Sequence, residues 1–395
     1  ILMINEECGT GSTGRICTDI AAALESDGNE VKIAFGRNAD IVPAQYSKYA
    51  VRIGNDIDLK IHGLITRAFD ATGFGSMRAT RKFIHWIYQF NPDIIHLHNL
   101  HGYYINIDLL FSCLKQLNKP VVWTLHDVWP FTGHSAYCDA VGCSKWKNGC
   151  ENCPQMKVYP KSYVDRSKRN WERKRNIFCG VTNLTIVTPS KWLAELVEDS
   201  FLNEYPVKVI NNGIDTGKFH KVSTHLRSNL RLQRKKILLS VATVWNDLKG
   251  LSDFEQLADL LGENYKIILV GGMTNSQEKE LPESILHIRR TQDVNEMVEL
   301  YNTADIYLNL TYCDTYPTVN LEAASCGTPV ITYAVGGSTE SAEMFGGISV
   351  RRGDVEAVAH AVREGERLKV VIPADYDLDK KCAIKEYIGL YRGVL

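Results

Sequence analysis

Short apolar runs alternate with longer amphipathic stretches along this chain, and most of the runs close on glycine, asparagine, aspartate or histidine. Residues 1–4, 31–35, 93–97, 120–125, 184–188 and 207–210 predict strands, and the 3.6-residue periodicity between them predicts helices over 15–24 and 56–90, the latter broken at Gly73-Phe74-Gly75. Ser190 is placed to cap a helix starting at Lys191. A second series of strands follows at 236–242, 267–270, 285–288, 306–310, 330–333 and 348–350, and a helix over 378–390 ends the chain. Strands alternating with helices make βαβ units, so the fold class is α/β with Rossmann-like halves. The polar, basic stretch 216–235 separates them. The division is an N-terminal domain 1–220, a second domain 221–377 and a closing helix 378–395.

The densest chemistry lies in 305–343. A strand runs into a polar loop carrying Asp314, Thr315 and Tyr316, and Pro317 is a good first helical residue because its missing N–H has no intrahelical partner there. On that helix Val319, Glu322, Ala323 and Cys326 share one stripe, which puts a carboxylate among apolar residues. For a lone glutamate, simple pairing inside a sheet protein would explain this. Strand, acidic loop, helix, strand and double-glycine turn together instead place donors and carboxylates at the carboxyl ends of strands, where open α/β sheets bind ligands.

These residues resemble the retaining glycosyltransferases of family 4, whose signature is two glutamates separated by seven residues and followed by a Cys/Ala-Gly-Thr-Pro-Val turn. Asp314, in place of the usual glutamate, stands eight positions before Glu322, and Cys326-Gly327-Thr328-Pro329-Val330 follows. The resemblance implies the GT-B fold, two facing Rossmann-like doubly wound domains with a central cleft, the second binding a nucleotide-sugar and the first an acceptor. It implies that Asp314 orients the donor sugar and that Glu322 holds the ribose hydroxyls. Backbone N–H groups in the donor-binding stretch of Thr315, Tyr316, Pro317 and Thr318 would meet the donor diphosphate. Lys249, in a Lys-Gly pair after the strand 236–242, matches the family's diphosphate contact. The arginine expected about six residues earlier is replaced by Thr243 and Val244, and the missing cation falls to Arg289 or Arg290, or to the glycine loop near the N-terminus.

That loop carries Gly9, Gly11 and Gly14 between a strand and a helix. Alone, this spacing reads as an NAD site, but the second strand ends in Gly36-Arg37-Asn38 with no acid for a ribose. A loop that admits a diphosphate or an acceptor at a helix N-terminus fits better. The strand 93–97 delivers His96, His98, Asn99 and His101 to its carboxyl end, a set that could hold metal but that the family pattern assigns to the acceptor pocket. His126, at the next strand end, is the candidate for supporting charge on the reacting sugar. The family's Asn-Gly-Ile-Asp segment is matched at 212–215.

Cys138, Cys143, Cys150 and Cys153 lie within sixteen residues of a loop, as a structural zinc set or as a thiol cluster without metal. The stretch 157–175 holds eight basic residues against two acidic ones with Tyr163 and Trp171 interleaved, which suits an anionic membrane surface, a pyrophosphate-linked lipid or a solvated helix face.

Composition excludes several classes. A net charge of −1 gives no global field for nucleic acid, and no run of eighteen apolar residues exists to span a membrane. Eleven scattered cysteines and an opening strand without a basic leader point to a reducing cytoplasm, with a short segment lost ahead of Ile1. The expectation is a cytoplasmic hexosyltransferase, peripheral at the inner membrane face. It would move sugar from a UDP- or GDP-type donor to a growing lipid-linked bacterial polysaccharide of capsule or colanic-acid type, with no catalytic cofactor. A GT-B sugar-nucleotide epimerase and a non-catalytic nucleotide-sugar binding protein are the alternatives, ahead of an NAD dehydrogenase.

Overall fold

The computed structural model describes residues 1–374 and 376–395. They form two compact units, Ile1–Asn211 with Ile384–Leu395, and Asn212–Ala383.

Unit 1 runs β1 (Leu2–Ile4), α1 (Gly11–Ser26), β2 (Lys32–Phe35), β3 (Ala50–Arg52), α2 (Asp56–Phe69), α3 (Met77–Phe90), β4 (Ile95–Leu97), α4 (Ile107–Leu117), β5 (Val121–Thr124), α5 (Ser167–Phe178), β6 (Leu184–Thr188), α6 (Lys191–Glu198) and β7 (Val207–Val209). All its strands are parallel, in the order β3-β2-β1-β4-β5-β6-β7. Ser190 caps α6 as expected, accepting from Leu193 N at 3.2 Å.

Unit 2 runs α7 (Leu226–Asn229), β8 (Lys236–Val244), α8 (Leu251–Leu261), β9 (Tyr265–Gly272), α9 (Asn275–Glu280), β10 (Ile285–Ile288), α10 (Val294–Thr303), β11 (Ile306–Asn309), α11 (Thr318–Ser325), β12 (Val330–Tyr333), α12 (Ser338–Glu343), β13 (Ile348–Val350) and α13 (Val355–Arg363). Its parallel order is β10-β9-β8-β11-β12-β13. The last helix, α14 (Lys380–Val394), starts in this unit and contributes Ile384 onward to unit 1.

Both faces of the second sheet are covered, which is why its strands read as continuous apolar runs. Leu238, Leu269, Leu308 and Ile331 face α8 and α13, whereas Ile237, Leu239, Ile268 and Tyr307 pack with residues of α10 and α11. The two-residue alternation of the strands sorts them into these two cores.

In each sheet the winding direction reverses once, between β1 and β4 and between β8 and β11. Side chains at the carboxyl ends of these strand pairs flank the crevice where such sheets bind ligands. Of the residues picked out in the sequence, Gly9 and Gly11 follow β1, His98, Asn99 and His101 follow β4, Lys249 follows β8 and Asp314 follows β11, whereas His126 follows β5 and Arg290 follows β10. Helix α11 begins at Thr318, so Pro317 holds the cap position, one residue earlier than its expected place as first helical residue.

Candidate functional site

In unit 2 the site is built by the loops that follow β8 and β11. The Asn246 side chain accepts from Lys249 N at 3.2 Å and tightens the short turn that presents Lys249. Gly250 then adopts φ 72°, and a Cβ there would sit 2.3 Å from Leu310 O, so glycine alone lets the two strand-end loops meet. Across that contact Lys249 Nζ lies 3.3 Å from both Thr311 Oγ1 and Asp314 Oδ2. Asp314 also accepts from Gly337 N through its carbonyl at 3.1 Å, which ties its loop to the turn after β12.

The first N–H groups of α11 have no side-chain cap. One turn further, Glu322 Oε2 accepts from Tyr301 OH at 2.8 Å. Tyr301 is fully buried on α10, so it fixes the carboxylate from below. Tyr316 turns its side chain away from the loop. Its ring is buried with Ile214, Leu321 and Phe345, which leaves only its backbone for a ligand.

A buried polar network not foreseen in the sequence holds this framework. Asn309 Nδ2 donates to Asn320 Oδ1 at 2.9 Å, Asn320 Nδ2 donates to Ser341 Oγ at 2.9 Å, and Thr332 and Ser338 share a hydroxyl contact at 2.6 Å. It fixes α11 and α12 to β11 and β12. Of the two arginines offered as replacement cations, Arg289 is engaged by Glu278 and by Asn275 Oδ1 at 2.8 Å. Arg290 is exposed past β10, the edge strand, roughly two inter-strand spacings or about 10 Å from β8.

In unit 1 the ends of β1 and β4 are stitched by Asn5, whose side chain donates to Glu7 O at 2.8 Å and accepts from Asn99 N at 3.3 Å. Gly9 and Gly11 both hold positive φ, 72° and 62°. A Cβ on Gly11 would come within 2.7 Å of Glu7 Oε2, which also accepts from Thr10 Oγ1 at 3.1 Å. A carboxylate therefore already faces the N-terminus of α1, and a second anion there would meet like charge.

The histidines form a layered cluster. His96 is buried, with Thr124 Oγ1 at 2.8 Å and the Tyr391 hydroxyl of α14 at 2.6 Å on its two ring nitrogens. His98 Nδ1 and His126 Nε2 are 3.0 Å apart with nearly parallel rings, and His98 Nε2 is buried with no hydrogen-bond partner among the described residues. Burial, then neighbouring imidazoles, holds His96 down to about 3 and His98 well below its usual range. Burial likewise brings His126 to about 4 against the pull of Asp127.

His101 differs. Burial pulls it down, but Asp127, bonded to Nε2 at 2.7 Å, and Glu6 at 3.9 Å outweigh that and raise it above the ordinary histidine value. Its Nδ1 meets the Tyr159 hydroxyl at 3.0 Å. Glu6 Oε2 is buried without a hydrogen bond, 3.8 Å from Arg37, and burial pushes its carboxyl above the usual range. A Cβ on Gly102 would lie 2.5 Å from that oxygen. Glu6, Arg37, Asp127 and Tyr159 were not singled out in the sequence. Only the strand-end position of Glu6 and Asp127 signalled them.

All four loop cysteines line one small space of about 20 Å³ with His134 and Trp146. They do not fit a zinc ion as they stand. Among the described residues no three His, Cys, Asp or Glu side chains are placed to hold a metal. No disulfide links the cysteines of the described residues.

The long loop is held by other means. Lys174, buried on α5, donates to Trp129 O at 2.7 Å and Thr132 O at 3.0 Å, while His134 meets Asp70 at 2.5 Å. The basic stretch is thus only in part a solvated face, because Trp171 and Lys174 point inward and Arg173 lies over Phe74 and pairs with Asp108. A cavity of about 640 Å³ on unit 2, lined by Gln256, Arg351 and Asp354 among others, contains none of the expected residues.

Comparison with known proteins matches this geometry to a family. Residues 13–218 match the pattern of Glycosyltransferase Family 4, and residues 222–374 that of Glycosyl transferases group 1. The chain is 29% identical over 275 residues to a putative colanic acid biosynthesis glycosyl transferase, WcaC, of Escherichia coli strain K12, covering 67% of this chain and 65% of that one. It is 23% identical over 223 residues to the N,N'-diacetylbacillosaminyl-diphospho-undecaprenol alpha-1,3-N-acetylgalactosaminyltransferase of Campylobacter jejuni subsp. jejuni serotype O:2, covering 51% of this chain and 58% of that one. The chain thus spans less than two thirds of the length of these relatives. Anabaena HepE, solved in complex with UDP, shares the fold at a TM-score of 0.68 with 14% identity, covering 100% of this chain and 99% of that one.

Proposed function

The chain belongs to glycosyltransferase family 4, with two Rossmann-like domains of the GT-B kind, and on that premise we propose that it transfers a sugar, with retention of configuration, from a UDP- or GDP-sugar to a lipid-linked polysaccharide acceptor. The observation that carries this reading is the pairing of Lys249 with Asp314 on the loops at the reversal point of the second sheet, with Glu322 on the helix that the second of these loops leads into.

Lys249 and the uncapped N–H groups at Thr318 stabilise the leaving diphosphate, where positive charge acts in a partly desolvated site. Asp314 orients the donor sugar and is itself held by Lys249 until the diphosphate arrives. Glu322, steadied by Tyr301, takes the ribose hydroxyls. The leaving phosphate oxygen accepts the proton of the acceptor hydroxyl, so the reading routes no step through a metal.

Unit 1 binds the acceptor. His98, Asn99 and His101 line its pocket, and Glu6 Oε2, held only by the longer contacts to Arg37 and His101, and Asp127 of the Asp127–His101 pair offer acceptors to sugar hydroxyls. With Glu7 at the head of α1, the Gly9–Gly14 loop suits a hydroxylated group better than a diphosphate. His126, held neutral, brings no positive charge of its own to this pocket. The Campylobacter relative named for a diphospho-undecaprenol acceptor supports the lipid-linked substrate, to be met at an anionic membrane surface.

The test is a transfer assay with UDP- and GDP-sugars and an undecaprenyl-diphosphate-linked sugar, with the product's anomeric configuration read by NMR. Product formed without acceptor would point instead to an epimerase, and nucleotide binding without turnover to a binding module.

A further inference from the structure

Helix α2 carries apolar residues on two sides: Leu59 packs half-buried against the core, and a second apolar row is left facing outward. Asn55 caps it, accepting from Ile57 N at 2.9 Å and Asp58 N at 3.1 Å, so the helix is well defined from its first turn. Its buried residues are His62 and Thr66. Its apolar stripe points outward: Ile57 is 67% exposed, Ile61 50% and Leu64 66%, at spacings of four and three, with Phe69 50% exposed at the helix end.

The inward face is set by a local anchor. His62 is drawn inward because Nε2 accepts from Gly73 N at 3.2 Å and Gly75 N at 3.1 Å, and Nδ1 meets Ser76 Oγ at 2.9 Å, which anchors the turn between α2 and α3.

Beside this stripe lies the start of the basic stretch. Tyr163 N donates to Arg67 O at 2.8 Å, leaving the Tyr163 ring 76% exposed, and the Arg166 guanidinium sits 5.3 Å from the centre of the Phe69 ring. Lys60, Arg67 and Lys161 are exposed around the apolar row. The neighbouring acids are engaged: Asp56 pairs with Arg52, Asp58 accepts from Asn55 N at 3.0 Å, and Asp165 accepts from Cys153 N at 2.6 Å.

We infer that α2, with residues 161–166, is a docking surface for an anionic lipid bilayer, lying in the interface with its apolar row among the acyl chains and its cations at the headgroups. Charge complementarity selects this occupant: an apolar row rimmed by lysine and arginine fits anionic headgroups. No helix among the described residues is long and apolar enough to cross a membrane. The surface also backs onto the proposed acceptor pocket, since Tyr103 packs 5.8 Å from the His62 ring and 6.1 Å from Tyr159, which bonds His101. Docking by this face sets that pocket close to the bilayer, where a lipid-linked sugar is presented. In this last step the inference rests on the acceptor proposed above.

The experiment is co-sedimentation of the full chain with vesicles of phosphatidylcholine alone and of phosphatidylcholine with about 30% phosphatidylglycerol. The chain should pellet with the anionic vesicles and not with the neutral ones. Ile57→Ser/Ile61→Ser/Leu64→Ser should weaken that partitioning at least about tenfold. Lys60→Gln/Arg67→Gln/Lys161→Gln should remove the preference for anionic lipid. Thermal stabilisation by the donor nucleotide should be unchanged in both variants, which also shows that they are folded.

Wild-type-like pelleting of the apolar variant would overturn the inference. So would a dimer of the wild-type chain that this variant converts to a monomer, since a second copy would then cover the face. Vesicle binding that follows these rules in a chain that no nucleotide stabilises would leave the surface standing and sink the donor site instead.

Discussion

Lys249 Nζ and Asp314 Oδ2 lie 3.3 Å apart although sixty-five residues separate them in sequence. Each stands on a loop at the end of a strand beside the reversal point of the second sheet, and each is about one-quarter to one-third exposed. The pair holds both side chains in place before a donor binds. A diphosphate entering there would take over the ammonium and free Asp314 for the sugar.

Replacing Lys249 tests this directly. Lys249→Ala should raise the transfer barrier by about 2 to 4 kcal/mol, a fall in kcat of roughly 30- to 1000-fold, because the charge it meets develops as the diphosphate leaves. Steady-state kinetics with saturating donor decides the matter. A change confined to KM would place Lys249 in ground-state binding alone.

Glu322 and Tyr301 can be separated by two substitutions. Glu322→Gln keeps an acceptor for the buried Tyr301 hydroxyl but weakens ribose recognition, so the donor Kd should rise with little change in unfolding free energy. Glu322→Ala strands that hydroxyl and should also cost about 1 to 3 kcal/mol of stability. Calorimetric titration and urea unfolding of both variants give the two readouts, and equal stability loss in the two would contradict the assignment.

The neutral histidines make the fold sensitive to acid. His96, held near 3 by burial and then by His126, and His126, held near 4, cannot take protons in the folded chain, whereas the unfolded chain binds them near 6.5. Stability should therefore fall as pH drops from about 6.5 toward 4. His96→Gln should lessen that fall in urea titrations across this range. A variant whose pH slope equals that of the wild type would show that His96 is not the source.

The Asp127–His101 pair responds at both ends of the pH range. The raised His101 value stabilises the fold below its ordinary 6.5 and is lost as pH climbs through the folded value, while the depressed Asp127 contributes above 3.8 and is lost as pH falls through its own. The stability difference between wild type and Asp127→Asn should be widest between those limits and shrink in alkali. A difference that does not vary with pH would mean that the pair is not ionised.

How much of this could be read beforehand depended on locality. Strands and helices followed the periodicity, and Lys249, Asp314 and Glu322 stood out because each sits at a fixed offset from a glycine turn or strand end. The Glu6–His101–Asp127 cluster was only half visible, since Tyr159 reaches His101 from a loop fifty-eight residues away and no local pattern announces it. Lys174 lay hidden in a run of cations. A charge count treats each cation as solvated, while the fold buries this one to hold the Trp129 and Thr132 carbonyls. Amphipathy was legible in α2, but its inward face was not, because His62 wins that face through the backbone of a turn formed later in the chain.

Lys174 gives a further check on that long loop. Lys174→Met leaves two buried carbonyls without donors and removes an ammonium stacked 3.4 Å from the centre of the Trp129 ring, so unfolding free energy should drop by about 2 to 4 kcal/mol. A gain in stability in urea titration would show that desolvation of the ammonium outweighs its bonds.

The central claim, that the second sheet holds a nucleotide-sugar through Lys249 and Glu322, is tested most directly by thermal shift with UDP-, GDP- and ADP-sugars on the wild-type and Glu322→Ala chains. One nucleotide class should raise the Tm of the wild type in proportion to the logarithm of its concentration, with the rise largely abolished in the variant. Equal stabilisation of both chains, or stabilisation by NAD and by none of the three sugar nucleotides, would contradict it.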